Sequence, residues 1–477
     1  MSKVLSAPAV LMGIPFHRVS FDEALAWASS KLESDRPGYI ATANLDFLFL
    51  AWQDPELQRI LIDADLVIAD GAPIVWISSL FGSRLPARVA GSDLAPTLIG
   101  VCRDKKRSAF LLGGASGVAD KAAKVLCGRF PGLRIAGTFS PPNSPVIEMN
   151  HEEILEQIHT SSPDLLLVAF GAPKQEKWIN MHFRTWKVPL AIGIGGTLDF
   201  LAGTQIRAPK VFQKIGMEWF WRMMTNPRRL FGRYADDLLF LISSLTRMLS
   251  IRLFSSTKTI APALHEADRT VIKSFGAVIF DRSIFAGKSE EDQSMTRAAE
   301  STFIVVDCTG VSWMSSTELG VLLSASTHAR RHGHRLWLYG VSPRLEKLLI
   351  LCRLGEYLPI AEDPGELTAQ IRAAVEDHDE GKAVLDAHGC LLITLPHELT
   401  AVTAQSFKEK IENTTRQSFV SCVIDASPTR FIDSAGLGFL VALRKSAQTH
   451  NASFSVSGFH GPVLKTIHAA RMDAILA

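Results

Sequence analysis

Six cysteines in 477 residues, with no CxxC pair and no histidines at metal-ligand spacing around them, leave neither a disulfide framework nor a zinc motif. Cys102, Cys127, Cys308, Cys352, Cys390 and Cys422 are scattered and read as reduced, buried thiols of a cytosolic protein. No run of 18 uncharged apolar residues occurs, which excludes an ordinary transmembrane helix and argues against a transporter accessory. A charge excess is missing as well. With 50 Lys and Arg against 48 Asp and Glu the net charge is +2, so the whole chain names no nucleic-acid partner and any basic site must be local. The apolar stretch 1–16 resembles a signal peptide only superficially. Pro8, Gly13 and Pro15 break it and a helical pattern follows at once, so it reads as a first strand.

What is present is folded, multidomain protein. Hydrophobic residues make up 47% and charged residues 21%, and 477 residues exceed one core, which predicts two to four domains. From residue 10 to about 200, apolar runs at 39–43, 66–69, 109–112, 133–136, 165–170 and 190–194 alternate with amphipathic helical patterns at 21–32, 93–103, 118–129, 151–160 and 174–184. That alternation predicts an α/β, Rossmann-like, mostly parallel sheet covered on both faces. The polar and glycine residues gather at the strand ends, where ligands bind in such sheets. Thr42 and Asn44 follow one strand, Asp70 and Gly71 the next, then Gly113, Gly114 and Gly117, then Gly171, Lys174, Gln175 and Glu176, then Gly195 and Gly196.

Asp70 closes the run Leu66-Val67-Ile68-Ala69, and Pro73 opens a helical pattern just after it. A carboxylate there can be a general base, a ribose acceptor or a helix cap. The turn from Gly113 to Gly117 leads into a helix N-terminus suited to a diphosphate, although glycine turns also serve as plain connections. Lys174, Gln175 and Glu176 are unusual after an apolar strand, or else form a solvated first helical turn. Asp63-Ala64-Asp65 precedes its strand and reads as surface.

Together T-A-N (42–44), A-D-G-A-P-I-V-W (69–76), R-V-A-G-S-D-L (88–94), L-L-G-G-A-S-G (111–117), P-D-L-L-L-V-A-F-G-A-P-K-Q-E-K-W-I (163–179) and G-G-T-L-D-F-L-A-G (195–203) resemble the WecG/TagA/CpsF glycosyltransferase family, over about residues 10 to 245. The resemblance implies transfer of a sugar, N-acetylmannosamine, its uronic acid or a hexose, from a UDP-sugar to an undecaprenyl-diphosphate-linked acceptor, with inversion and with no metal or cofactor required. It makes Asp70 the general base, with Thr42 and Asn44 beside the reacting sugars. It also implies Arg88 near the donor diphosphate or the acceptor and Gln175 with Glu176 in the donor pocket, and the strand-end residues Gly113, Gly114, Gly171, Lys174 and Gly195 join them as substrate-binding candidates.

Residues 207–254 change character. Nine Lys or Arg stand against three acidic residues, with Trp219, Phe220, Trp221, Phe231, Tyr234, Phe240 and Phe254 interleaved. Such a mixture suits an anionic membrane surface, the role the resemblance also implies for this appendage, or a core helix pair with a solvated basic face. Arg222, Arg229 and Arg233 are the candidates for gripping a lipid or nucleotide diphosphate.

Beyond a polar linker at 255–268 the chain repeats itself: 303–323 parallels 419–440, each a strand ending in Asp, a short strand, then a helix opened by Ser. Both copies resemble STAS domains, at 269–376 and 382–477, after a transferase domain at 1–205 and the appendage at 206–254. In the repeat, Met314 stands for Asp433 and Ser315 for Ser434, Glu318 replaces a glycine, and the last helix of the second copy is expected to be short or missing. Ser434 is either a phosphorylation site for a partner kinase or part of the helix cap with Asp433. The expectation is therefore a cytoplasmic transferase, peripheral at the inner face of the plasma membrane, with STAS-like domains that bind a protein partner or kinase. The alternative is an inactive nucleotide-binding scaffold or partner-switching regulator that acts through those domains.

Overall fold

A computed structural model of the chain describes residues 5–257, 261, 264–281, 295, 297–300, 302–376, 381–415, 417–470 and 472, apart from the side chains of 81, 214, 229, 376, 462 and 469. Its first strand pair, β1 (Ala9–Leu11) and β2 (Ile14–Phe16), is an antiparallel hairpin outside the main sheet, where the sequence suggested a single first strand. Met12 and Gly13 both take positive φ, 49° and 85°, which matches the twist of a two-residue hairpin turn.

Six parallel strands follow: β3 (Gly38–Ala43), β4 (Leu66–Ala69), β5 (Ser108–Gly113), β6 (Arg134–Phe139), β7 (Leu165–Ala169) and β8 (Leu190–Gly193). They lie in the order β4-β3-β8-β7-β5-β6, all parallel. The polar loops after β4, β3, β8, β7 and β5 therefore occupy neighbouring places on one edge. Eight α-helices lie between the strands and a ninth follows β8: α1 (Phe21–Lys31), α2 (Leu45–Gln53), α3 (Pro55–Asp63), α4 (Ala72–Ser78), α5 (Gly91–Asp104), α6 (Val118–Arg129), α7 (His151–Ser161), α8 (Lys174–His182) and α9 (Thr197–Leu201). One face of the sheet packs on Ala28, Leu98, Ala122 and Leu198, all fully buried. The helices α2 and α3 lie where no helix was anticipated, although Asn44 and Asp54 cap them as such residues do.

The appendage is helical: α10 (Lys210–Lys214), α11 (Glu218–Thr225) and the 28-residue α12 (Pro227–Phe254). The turn before α11 sits against α4, and a Cβ on Gly216 would lie 2.3 Å from the Cβ of Ala72. Among the described residues no helix is long and apolar enough to cross a membrane.

The first repeat copy has α13 (Glu266–Ser274), β9 (Val278–Asp281), β10 (Ile304–Asp307), α14 (Ser316–Arg331), β11 (Leu336–Tyr339), α15 (Pro343–Leu351), β12 (Ile360–Ala361) and α16 (Pro364–Glu376) around a parallel sheet β12-β11-β10-β9. It packs against the transferase in one compact unit. Val10 of the hairpin joins its hydrophobic core, and a Cβ on Gly320 would lie 1.8 Å from the carbonyl oxygen of Pro8. Gln58 Nε2 donates to the carbonyl of Cys352 at 2.9 Å, Arg331 donates to the carbonyl of Asp63 at 2.7 Å, and the Ser83 and Thr317 hydroxyls are hydrogen-bonded.

The second compact unit gathers 141–153, 177–186 and the described residues from 381 onward. Its elements are β13 (Lys382–Leu385), β14 (Cys390–Thr394), β15 (Glu398–Leu399), α17 (Thr403–Thr415), β16 (Ser421–Asp425), β17 (Phe431–Ile432), α18 (Ser434–Thr449), β18 (Ser453–Ser457) and α19 (Gly461–Ala469). Strands β13-β14-β16-β18 form its sheet, with β13 antiparallel. Ile147, from the 141–153 segment, packs on its core.

The two copies correct the repeat register by one residue. Ser315 caps α14 as Asp433 caps α18, and both helices run 16 residues, so Ser316 and not Ser315 stands at the place of Ser434. At the next difference a Cβ on Gly436 would lie 2.2 Å from the carbonyl of Leu399, whereas Glu318 completes a capping box with Ser315. The last helix of the second copy is present as α19 and is nine residues long, like α15. Cys102, Cys308, Cys352 and Cys422 are buried thiols, but Cys127 is exposed and Cys390 half-buried, since both lie on elements with an open face.

Candidate active site

Asp70 leaves β4 with its backbone N–H donating to the Ala43 carbonyl at 2.8 Å, which fixes it beside the end of β3. Its half-buried carboxylate accepts from the Gly91 N–H at the start of α5, and the charges that reach it are Arg222, Arg88 and Glu218. Withdrawal from solvent pushes its carboxyl up to about 6; the two arginines pull the other way and Glu218 adds to the rise. A carboxylate poised there is a stronger base than an ordinary aspartate yet remains ionised at neutral pH.

Thr42 is 6% exposed and donates from its hydroxyl to the Gly193 carbonyl at 2.9 Å, a bond across neighbouring strands. Asn44 caps α2, accepting from Phe47 N–H at 3.3 Å. On the same helix, Asp46 lies 3.6 Å from Arg233 of α12, and burial pushes its carboxyl up. Asp237, one helical turn beyond Arg233 and 1% exposed, has no hydrogen-bond partner at either carboxylate oxygen, and burial beside Asp46 pushes it up to about 7.

Gln175 and Glu176 are buried and tie two strand ends together. Gln175 Nε2 donates to Glu176 Oε1 at 2.7 Å, and its Oε1 accepts from the Gly195 N–H at 3.1 Å. A Cβ on Gly193 would lie 2.7 Å from Gln175 Nε2, so this strand end is glycine because the pair occupies the space. Glu176 is fully buried, and burial pushes its carboxyl up to about 7. Lys174 lies with its ammonium 5.5 Å from the centre of the Phe170 ring, partial burial lowering its pKa, and Gly171 turns the chain with φ 79°. Gly113 and Gly114 take φ 107° and 76°; a Cβ on Gly113 would lie 2.6 Å from the Ala169 carbonyl, so packing alone accounts for that glycine.

Arg88 is engaged by two carboxylates, Glu218 of α11 and Asp93 at 3.3 Å. Arg207 bonds the same pair, reaching Asp93 at 2.6 Å and Glu218 at 3.0 Å. Sequence reasoning passed over Glu218, Asp93, Arg207 and Asp237. The charge count of the 207–254 stretch pointed at its cations, and nothing local marks a glutamate that serves an arginine 130 residues away.

Arg222 is exposed on α11, stacked 5.2 Å from the Phe200 ring centre, and its charge reaches Asp70. Arg229 lies on α12 with its side chain outside the described residues. Asp65, read as surface, is half-buried and accepts from the Tyr39 N–H at 3.0 Å. In the second unit, Ser434 is 5% exposed at the first position of α18, next to Asp433, which accepts from Ala435, Gly436 and Ala401 N–H groups at 2.9 Å. Phosphorylation of Ser434 requires that helix start to open.

On α12, Phe231, Leu238, Ile242, Leu249 and Leu253 recur at spacings of seven and four and are each at least half exposed, so they form one apolar stripe. The opposite side carries buried Asp237, Phe240, Leu241 and Ser244, and the helix packs on α2 and α15.

Compared with known proteins, residues 9–253 match the family described as "Glycosyl transferase WecG/TagA/CpsF family", and residues 266–367 and 383–476 each match the STAS domain. An N-acetylglucosaminyldiphosphoundecaprenol N-acetyl-beta-D-mannosaminyltransferase of Bacillus spizizenii is 34% identical over 198 residues, 42% of this chain and 75% of that protein. The Bacillus subtilis protein of the same name is 32% identical over 40% of this chain and 72% of its own length. The one from Staphylococcus aureus strain MRSA252 is 28% identical over 43% and 78%.

Proposed function

This chain belongs to the WecG/TagA/CpsF glycosyltransferase family and carries two STAS domains, and from that premise we propose that it moves a sugar from a UDP-sugar to a polyprenyl-diphosphate-linked acceptor. The observation that carries the proposal is Asp70: a strand-end carboxylate raised to about 6 with the cations Arg88 and Arg222 acting on it. In the proposed step the acceptor hydroxyl oxygen attacks the anomeric carbon of the donor. The carbon–phosphate oxygen bond breaks, UDP leaves with its electron pair, and Asp70 takes the hydroxyl proton. Attack opposite the leaving group inverts the centre. Cations near Asp70 favour the charge that develops on the leaving diphosphate.

The acceptor class follows the relatives, whose name specifies an N-acetylglucosaminyl-diphospho-undecaprenol substrate. N-Acetylmannosamine is the first donor sugar to try on the same ground. The exposed stripe on α12, with Arg228, Arg247 and Arg252 on that helix, supports adsorption to an anionic membrane where such an acceptor resides.

The test is UDP release by the full chain from a panel of UDP-sugars, with a short polyprenyl-diphosphate-sugar acceptor, beside Asp70→Asn. Acceptor-dependent release that falls at least 100-fold in the variant is the expected result. Turnover by Asp70→Asn at the rate of the unaltered chain rules out the base, and UDP binding without release on any donor favours a scaffold acting through the STAS domains.

A further inference from the structure

The appendage touches the strand-end cleft through one side chain that no motif predicted. Glu218 opens α11, and its two carboxylate oxygens go to two different arginines: Oε2 accepts from Arg88 Nη1, and Oε1 accepts from Arg207 Nε at 3.0 Å. Asp93 closes the figure from the other side, accepting from Arg207 Nη1 and Nη2 at 2.6 and 3.0 Å and from Arg88 Nη2 at 3.3 Å. Four charges from three separate stretches of chain, 88–93, 207 and 218, thus form a closed ring of alternating sign. Glu218 and the two arginines are 14%, 21% and 23% exposed and Asp93 is 38%, so the Glu218 side of the ring is shielded more than a surface ion pair while the Asp93 side meets solvent.

We propose that Glu218 is a positioning residue: by bridging Arg88 and Arg207 it makes the docking of the appendage and the orientation of Arg88 toward the Asp70 cleft one event. The inference rests on the proposed reading in which Arg88 meets the diphosphate. Three observations support it. Arg88 is not left to find its own direction, because two of its nitrogens are held by carboxylates on different elements. Arg207 is fixed by a two-pronged bond to Asp93, a stiff arrangement that gives Glu218 a fixed anchor. The segment that carries Glu218 is itself located by Gly216, whose lack of a side chain lets it seat on Ala72 just after Asp70. Without Glu218, two guanidiniums share Asp93 alone and repel each other, and Arg88 loses its bond to α11. Glu218 also lies close enough to act on Asp70 directly, together with Arg222, Arg88 and the Gly91 N–H.

The experiment uses the full chain in the UDP-release assay with Glu218→Gln, Glu218→Asp, Arg88→Lys and the Glu218→Gln/Arg88→Lys double variant. Glu218→Gln removes the charge; Glu218→Asp keeps it on a stem too short to span both arginines. Expected are a fall in kcat/KM of about tenfold or more for both Glu218 variants, expressed chiefly in the KM for the UDP-sugar, and a double variant little worse than Arg88→Lys alone. The acidic limb of the pH profile moves to lower pH in Glu218→Gln but stays in place in Glu218→Asp, because only the first removes a negative charge near Asp70. A plain structural role lowers kcat through loss of folded protein and leaves the KM and the limb unmoved. That pattern, additive losses in the double variant, or unaltered kinetics would overturn the inference. The Asp70→Asn control separates the two levels: if it is inactive while Glu218→Gln behaves like the unaltered chain, the transferase reading stands and this inference falls. If Asp70→Asn turns over normally, the reading itself has failed and the inference falls with it.

Discussion

Glu176 offers a test of how dry the strand-end site is. It is fully buried, and its carboxyl is raised from the ordinary 4.5 to about 7, burial outweighing the bond from Gln175. A carboxylate with a raised folded pKa binds more protons folded than unfolded, so its contribution to stability is intact below the unfolded value and is lost as pH rises toward the folded one. For these two values the loss is about 1 kcal/mol or less at pH 5 and about 3 kcal/mol at pH 8, a difference of about 2–3 kcal/mol. Glu176→Gln keeps the acceptor for Gln175 and deletes the ionisation. Its amide must settle where Oε2 has no partner, a cost of about 1–3 kcal/mol that does not vary with pH. The variant is therefore expected to gain on the unaltered chain by about 2–3 kcal/mol between pH 5 and pH 8, whatever its absolute stability. Urea unfolding followed by tryptophan fluorescence reads this directly, since seven of the nine tryptophans precede residue 222. Parallel pH dependence in the two proteins would refute the reasoning and mean that water reaches Glu176.

Three further outcomes follow from the same geometry. With Asp70 as base, kcat/KM falls about tenfold per pH unit below about 6; a profile flat to pH 4.5 would exclude it. Gly320→Ala drives a methyl into the Pro8 carbonyl and costs about 1–3 kcal/mol in unfolding experiments, whereas Gly438→Ala at the matching position, with its nearest neighbour atom 4.0 Å away, is neutral or stabilising by up to about 1 kcal/mol. Equal effects at the two glycines would remove the packing argument. Replacing Phe231, Leu238 and Ile242 together by Ser weakens co-sedimentation with anionic vesicles by about tenfold or more, and unchanged binding would assign the stripe another role.

The parallel sheet was legible because buried strands read as short β-branched runs and their polar residues cluster at one end, which puts Asp70, Asn44 and Gln175 on neighbouring loops. The hairpin at 9–16 was not, because its turn is Met12-Gly13, a weaker signal than Asn-Gly, and Gly13 is also required by the Cys352 carbonyl, 2.1 Å from where its Cβ would be. The repeat register slipped because Ser315 and Ser316 are adjacent and either satisfies a Ser-initiated helix; only the cap geometry distinguishes them. Glu218 and Asp237 were out of reach for a different reason. Their meaning comes from partners on α2 and the 88–93 stretch, far away in sequence, and charge counting treats them as part of a solvated face.

The two faces of α12 have a geometric consequence. The helix is about 42 Å long at 1.5 Å per residue; its apolar stripe looks outward while its other side is gripped by α2 and, in the first STAS copy, by α15. A rod that rests lengthwise on a bilayer has lost its freedom to tip, and whatever is bolted to its back inherits a heading. In the proposed membrane-bound state the first STAS copy would stand off the lipid by about one helix diameter, some 10 Å, with the Asp70 cleft held at a set height above the plane in which a lipid-borne acceptor would drift.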